Sequence, residues 1–525
     1  MKKSAFQAAV VLIGILASHA SAQTATPIKH LVVIFDENIS FDHYFATYPN
    51  ALNPPHEPSF KARPGTPSVN GLTSTLRERN PNLLNTKVNQ EYAVNPFRLG
   101  PAQAATADQS HDYTDEQHAF NAGLMDSFPR YTGLPALPTQ KFPPASMVGA
   151  PAEYVHQTKA LVMAYFDGNT VTALWNYAQR YALNDNSYGS TFGQSTQGAI
   201  ELISGQTNGV TDQINAASFL VDGGNGTFTE VDDADPIGDK CSNTSWGQLR
   251  YTGNNIGQML SKRRVSWGWF EAGFDLTKTN PNGTTGCLRS TYSKVTQISP
   301  VDYIPHHEPF QYYTPTANLE HTRPTSVRMI GKEGDGANHQ YDTDDFFATV
   351  KAGNFPEVSF LKAPGYQDAH AGYSDPLDEQ NFIVSVVSAV QASPDWDTTA
   401  IVLAYDDSDG WYDHQAPPIV NPSASAADTL NGAGSCTSAN AQQDSGVASG
   451  PLLGNDGGPA QGRCGYGTRL PLLVISPFAK KNYIDHTLTD QSSILKFVED
   501  NWTGGKRIQG SFDSIAGTIE NMFQF

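Results

Sequence analysis

Positive charge is scarce in this sequence beside negative charge. Its 33 lysines and arginines stand against 52 aspartates and glutamates, a formal net charge of −19. A chain so acidic offers no basic stripe for a nucleic-acid backbone, so nucleic acid is not expected as a partner, and the charge also argues against electrostatic attraction to anionic lipid. No long apolar run follows residue 22, which argues against stable membrane insertion. The 4 cysteines, Cys241, Cys287, Cys436 and Cys464, include no C-x-x-C pair, which speaks against a dithiol redox or zinc role. There is no H-E-x-x-H. There is no G-x-S-x-G either, because Gln197 stands where the last glycine after Gly193-Gln194-Ser195-Thr196 would be.

The first residues read as a secretory signal peptide. Lys2 and Lys3 form a basic start, Ala8 to Ala17 an apolar stretch, and Ala20-Ser21-Ala22 a cleavage site. Cleavage after Ala22 removes two positive charges and takes −19 to −21. The expected organisation is a signal peptide over 1–22 and one domain over 23–525, exported to the periplasm or secreted. An even cysteine count in an exported protein points to disulfides. Pairing neighbours, Cys241 with Cys287 and Cys436 with Cys464, closes the shorter loops, and the other pairings stay open. The stretch from Asn421 to Gly462, rich in Ser, Ala, Gly, Asn and Gln, reads as a surface excursion.

Two apolar runs stop abruptly in acid. His30-Leu31-Val32-Val33-Ile34-Phe35 runs into Asp36-Glu37-Asn38, and Ile401-Val402-Leu403-Ala404-Tyr405 into Asp406-Asp407. Short β-branched runs of this kind read as buried strands of a parallel sheet, in which ligands bind beyond the carboxyl ends. Further strands are expected over Val265–Phe270, Val358–Leu361 and Leu470–Ile475, and a helix over Asp378–Gln391 opened by Asp375-Pro376. The fold class is therefore α/β, a mostly parallel central sheet flanked by helices with long loop insertions. Clustered carboxylates repel one another unless a cation neutralises them, and oxygen ligands suit Mg, Ca, Mn or a carboxylate-rich Zn site. Acidic residues also cap strands and helices, but two such clusters in one sheet weaken that reading.

A third segment leads from a Gly-rich turn, Gly189 to Gly193, into a helical pattern with Ser195 at the junction. A helix start suits a phosphate oxyanion, and a metal can activate a hydroxyl placed there. Taken alone, Ser195 reads better as a helix cap. His111, the adjacent His306 and His307, and His370 could bind phosphate, ligate metal or protonate a leaving group.

Longer blocks narrow these options. Asp36-Glu37-Asn38-Ile39-Ser40-Phe41-Asp42-His43-Tyr44-Phe45 resembles the opening motif of the bacterial acid phosphatase and phospholipase C phosphoesterase family, within the alkaline-phosphatase-like superfamily. Ser110-His111-Asp112, Gly193-Gln194-Ser195, Pro305-His306-His307 and Tyr405 to His414 agree in order along the chain, as does Arg469 to Phe478. The resemblance implies an alkaline-phosphatase-like sheet and one divalent metal of unknown identity, held by Glu37, Asn38, Ser195, Asp406 and Asp407. It also implies Ser195 as nucleophile, with His111, His306, His307 and His370 lining the phosphate and leaving-group side. Gln194 departs from the proline of many members. Ser195, in place of threonine, and Asp406-Asp407, in place of Asp-Glu, lean toward the acid phosphatase branch.

The expected activity is hydrolysis of phosphate monoesters through a phosphoserine, with phospholipase C cleavage of phospholipid diesters as the alternative at the same site. The expected substrate is a phosphorylated small molecule, phospholipid included. Protonated histidines would stand where two-metal relatives hold a second ion, His307 or His370 would protonate the leaving oxygen, and acid pH would be favoured. A non-catalytic binding protein on the same fold is the remaining reading. Every proposed position, however, carries a residue competent for catalysis.

Overall fold

Alternation along the two longest apolar strands divides the interior in two. In β1 (His30–Asp36), Val32 and Ile34 face one core while Leu31, Val33 and Phe35 face the other. Ile401 and Leu403 separate from Ala400 and Val402 in the same way. A period of two with apolar residues on both sides is the pattern of a sheet covered on both faces. Each such aliphatic side chain contributes about 1.5–3 kcal/mol by leaving water.

The structure is a computed structural model and describes residues 24–135, 158–437 and 451–525. The expected signal peptide lies outside the described residues, as does 438–450 of the expected excursion. The remaining strands of the central sheet are β2 (Ala182–Asn184), β3 (Trp267–Glu271), β4 (Gln340–Tyr341), β5 (Val358–Lys362), β6 (Thr399–Tyr405), β7 (Leu472–Ile475) and β8 (Tyr483–Asp485). Their spatial order is β4-β3-β5-β1-β6-β7-β2-β8. Only β7 opposes the others, pairing antiparallel with β6 and β2, while the other neighbours are parallel. The expected α/β class with a mostly parallel sheet is thus what the chain adopts. The reversal of β7 follows from its connection. The chain leaves β6 at the carboxyl edge and returns at that edge, where Phe41 N donates to Arg469 O at 2.8 Å.

Helices α1 (Phe41–Phe45) and α2 (Tyr113–Phe120) lie at the carboxyl edge, and α3 (Ser195–Ser204) and α4 (Pro376–Gln391) on opposite faces. Ala199, Ile200, Leu202 and Ile203 of α3 enter one core, and Phe382, Ile383, Val386, Val387 and Val390 of α4 the other. Asp375 caps α4 by accepting from Leu377 N and Asp378 N, with Pro376 at the first helical position.

A second, five-stranded sheet lies within 208–251, and the sequence reading did not foresee it. Its strands are short and partly solvated: the last four residues of Asn208–Ile214 are exposed, so no apolar run marks them. The disulfides are Cys241–Cys287 and Cys436–Cys464, the nearest-neighbour pairing. Among the described residues no helix is long and apolar enough to cross a membrane.

Candidate functional site

Register builds the site. Asp36 pairs with Tyr405 across the parallel β1–β6 ladder, so Glu37-Asn38 and Asp406-Asp407 leave the sheet side by side. On the other flank of β1, β5 ends in Lys362. Three neighbouring strands therefore deliver their first polar residues to one place. Helix α3 brings the fourth element. Gly198 lies against the backbone of Asp406, where a Cβ would collide with its carbonyl, so the helix start sits directly over the end of β6.

Ser195 is not the helix cap. Gln194 holds that position and Ser195 is the first helical residue. Its hydroxyl stands 2.9 Å from Glu37 Oε2, 3.0 Å from Asp407 Oδ2 and 3.3 Å from the Asn38 side chain. One amide atom of Asn38 lies 2.7 Å from Glu37 Oε2, 3.1 Å from Asp406 Oδ1 and 3.2 Å from Asp407 Oδ2. Asn38 adopts φ 51°, a left-handed conformation that asparagine tolerates better than most residues, and its N–H donates to Asp406 Oδ1 at 3.1 Å.

This donor set fits a divalent cation. A serine has one proton and cannot serve three acceptors, so with the Asn38 amide oxygen turned inward the convergence has no satisfactory hydrogen-bond solution among these groups. In an octahedral oxygen shell at about 2.1 Å, adjacent ligands stand roughly 3 Å apart, and the separations here run from 2.7 to 3.3 Å. Burial pushes the carboxyls of Asp406 and Asp407 well above their usual range, and neighbouring carboxylates add to it. A cation would reverse that shift. The residues that would hold it are Glu37, Asn38, Ser195, Asp406 and Asp407.

Lys362 was not anticipated. Its fully buried ammonium pairs with Glu37 Oε1 and, at 2.9 Å, with Asp406 Oδ2. The sequence signal was the one used for the acids, an apolar run, Val358 to Leu361, ending in charge.

The four histidines divide into two kinds. Burial lowers His111, but Asp407, Asp409 and Asp108 outweigh it and hold the imidazole well above its ordinary value. Its Nδ1 donates to Gln109 O at 3.0 Å and lies 3.4 Å from Asp409 Oδ1. His306, opposed by burial but favoured by Asp233, Asp235 and Glu37, is raised to about 9, with Nδ1 3.4 Å from Asp235 Oδ1. Burial, aided by Lys362, His306 and His370, takes His307 well below its ordinary value, and its Nδ1 lies 3.3 Å from Glu37 Oε1. Burial likewise lowers His370. His307 and His370, the two expected to protonate the leaving oxygen, thus differ from the other pair. His111 and His306 favour the charged form, His307 and His370 the neutral one.

Glu116 of α2 was also missed. Its carboxyl accepts from Gly193 N at 3.1 Å, Ser408 Oγ at 2.6 Å and Thr468 Oγ1 at 3.2 Å, so it ties the turn before Ser195 to the segment after Asp407. Burial raises it to about 7.

Residues 28–503 match the model of the Phosphoesterase family. The chain belongs to that family. Among curated relatives, this phosphoesterase is 32% identical over 157 residues to the non-hemolytic phospholipase C of Pseudomonas aeruginosa, covering 29% of the chain and 21% of the relative. It is 26% identical over 190 residues to that organism's hemolytic phospholipase C, covering 35% and 22%. It is 25% identical over 182 residues to phospholipase C A of Mycobacterium tuberculosis, covering 34% and 32%. The matches thus span about a fifth to a third of the relatives' own length. Solved structures similar to the phosphoesterase include a quadruple mutant of the alkaline phosphatase PafA, at 9% identity and TM-score 0.31 over 66% of this chain and 93% of that one. Murine ectonucleotide pyrophosphatase/phosphodiesterase 5 matches at 9% identity and TM-score 0.29, over 67% and 95%.

Proposed function

We propose that this phosphoesterase hydrolyses phosphate esters with Ser195 as nucleophile and one divalent cation held by Glu37, Asn38, Ser195, Asp406 and Asp407. The observation that carries this reading is the Ser195 hydroxyl set among Glu37 Oε2, Asp407 Oδ2 and Asn38. The substrate class proposed first is the phosphodiester of a phospholipid, cleaved as by a phospholipase C, because each relative described above bears that name. This reverses the ranking expected from the sequence. Monoester hydrolysis is the second reading. The imidazoles of His111 and His306, both held charged, favour it by suiting the extra negative charge of a monoester dianion.

The cation, when bound, lowers the pKa of the serine hydroxyl and offsets charge on the phosphoryl oxygens. Asp407, 3.0 Å from Ser195 Oγ, and Glu37, at 2.9 Å, are placed to hold the serine proton before attack. Ser195 Oγ then bonds phosphorus as the P–O ester bond breaks and the departing oxygen takes a proton from solvent, and water releases phosphate or phosphorylated headgroup from the phosphoserine while Ser195 regains its proton. His111 and His306 supply positive charge near the phosphoryl group. Lys362 balances Glu37 and Asp406 from beneath. Export through the signal peptide is part of the proposal. The two disulfides suit an oxidising compartment, and N-terminal sequencing of the exported protein should begin at Gln23.

The test is turnover of a chromogenic phosphate monoester beside its phosphocholine diester, with wild type and Ser195→Ala, in Mg2+ or Mn2+ and after chelation. Diester preference lost in Ser195→Ala supports the first reading, and monoester preference moves the protein to the second. Turnover unchanged in Ser195→Ala removes the nucleophile.

A further inference from the structure

We infer that His370 is a positioning residue that fixes which face Asn38 turns to the cation, its bare Nε2 accepting from the Asn38 NH2 so that the amide oxygen points at Glu37, Asp406 and Asp407. This rests on the metal site proposed above, and it replaces the phosphate-facing role expected for His370.

The ring is fixed before Asn38 is considered. His370 Nδ1 lies 2.6 Å from the carbonyl of Ala371, an acceptor, so the ring proton sits on Nδ1. The imidazole stacks on Tyr373, with centroids 4.3 Å apart and planes 22° from parallel. Its backbone is held by His370 N donating to Asp368 Oδ1 at 3.0 Å and by Ser374 N donating to His370 O at 2.8 Å. Asp368 O in turn accepts from Glu37 N at 2.8 Å, which registers this loop against the residue before Asn38. A ring with its proton on Nδ1 has Nε2 free to accept.

That Nε2 is 3.1 Å from one amide atom of Asn38, and the other amide atom lies among the carboxylates. An asparagine can turn either end to either side. With its NH2 toward the carboxylates, it would satisfy Glu37 and Asp407 by hydrogen bonds and present donors where a cation needs oxygen. With its oxygen inward, the NH2 faces His370, and only a bare Nε2 can receive it. The choice between a metal ligand and a metal excluder thus rests on one hydrogen bond outside the coordinating set. Hydrogen-bond partners of metal ligands commonly control metal affinity by 10–100-fold.

The experiment is calorimetric titration of the purified protein with Mn2+ and with Mg2+, for wild type, His370→Phe, His370→Gln, Asn38→Ala and the Asn38→Ala/His370→Phe double variant. Inorganic phosphate is titrated into each metal-loaded protein, and a thermal melt checks folding. The expected result is at least about tenfold weaker metal binding in His370→Phe, with His370→Gln, whose amide oxygen can accept, close to wild type. In the Asn38→Ala background, His370→Phe should change metal affinity by less than about twofold. Unchanged metal affinity in His370→Phe overturns the inference, and weakened phosphate binding beside it would return His370 to the phosphate. Equal losses in Phe and Gln, or a full loss persisting without Asn38, also overturn it, leaving a packing role. If His370→Phe does not fold, the Gln variant and the Asn38→Ala titration decide. If wild type takes up neither Mn2+ nor Mg2+, the metal site itself fails first, a result distinct from the others.

Discussion

Lys362 Nζ stands 2.9 Å from Asp406 Oδ2, with both side chains out of solvent, and the same ammonium pairs with Glu37. Three carboxylates, Glu37, Asp406 and Asp407, share the site with this fixed cation. Adding a dication balances them in number. Lys362→Met should therefore be strongly destabilising in the metal-free protein, by about 3–5 kcal/mol, as expected for breaking a buried pair. Mg2+ should restore part of that loss, giving a larger Mg2+-induced rise in Tm than in wild type. Thermal melts with and without chelator measure both, and equal rises would show that Lys362 does not balance the cation site.

Gly198→Ala tests the contact between α3 and β6. The added methyl meets the Asp406 carbonyl and must push the helix start, and Ser195 with it, away from Asp407. A shift of about 1 Å at a reacting group can lower turnover by about 100-fold. We expect kcat to fall on that scale with one equivalent of metal still bound, read by steady-state kinetics and metal analysis. Wild-type kcat would mean the helix does not set the position of the hydroxyl.

The pH dependence of stability should carry the mark of His306. Its folded value, raised to about 9, exceeds its ordinary value of about 6.5. The folded state therefore binds the proton more tightly. The resulting stability is fully present below about 6.5 and is lost as pH rises through about 9. Urea midpoints of wild type should fall across that window more steeply than those of His306→Gln. Parallel curves would assign the slope to other groups.

The Cys436–Cys464 disulfide is joined to the site. Cys464 N donates to Tyr113 OH at 2.8 Å, and Cys464 O accepts from Phe192 N at 3.0 Å, just ahead of Ser195. With the cysteines 28 residues apart, loop-closure entropy gives roughly 3–4 kcal/mol for the bridge. Cys436→Ala/Cys464→Ala should lose about that much in urea unfolding and should lose turnover as well. A stability loss with intact turnover would separate the bridge from the site.

What the sequence determined by itself was local and repetitive. Short apolar runs marked β1, β5 and β6, those of β1 and β6 ending in acid, and Asp375-Pro376 marked the start of α4, because such runs, capping and proline geometry are written within a few residues. The Glu37-Asn38 and Asp406-Asp407 pairs were legible for the same reason. The five-stranded sheet was not, because short, half-exposed strands owe their existence to partners distant in sequence. Ser195 read as a cap on its own segment, and only α3 lying on Asp406 through Gly198 turns its hydroxyl to the carboxylates. The histidines show the limit most plainly. All four look alike in sequence, yet Asp409 and Asp235 lie beside His111 and His306, while Lys362 and burial act on His307. Tertiary structure alone decided which imidazoles are pushed toward the charged form and which toward the neutral one, since that depends on distances and burial between segments that no local pattern encodes.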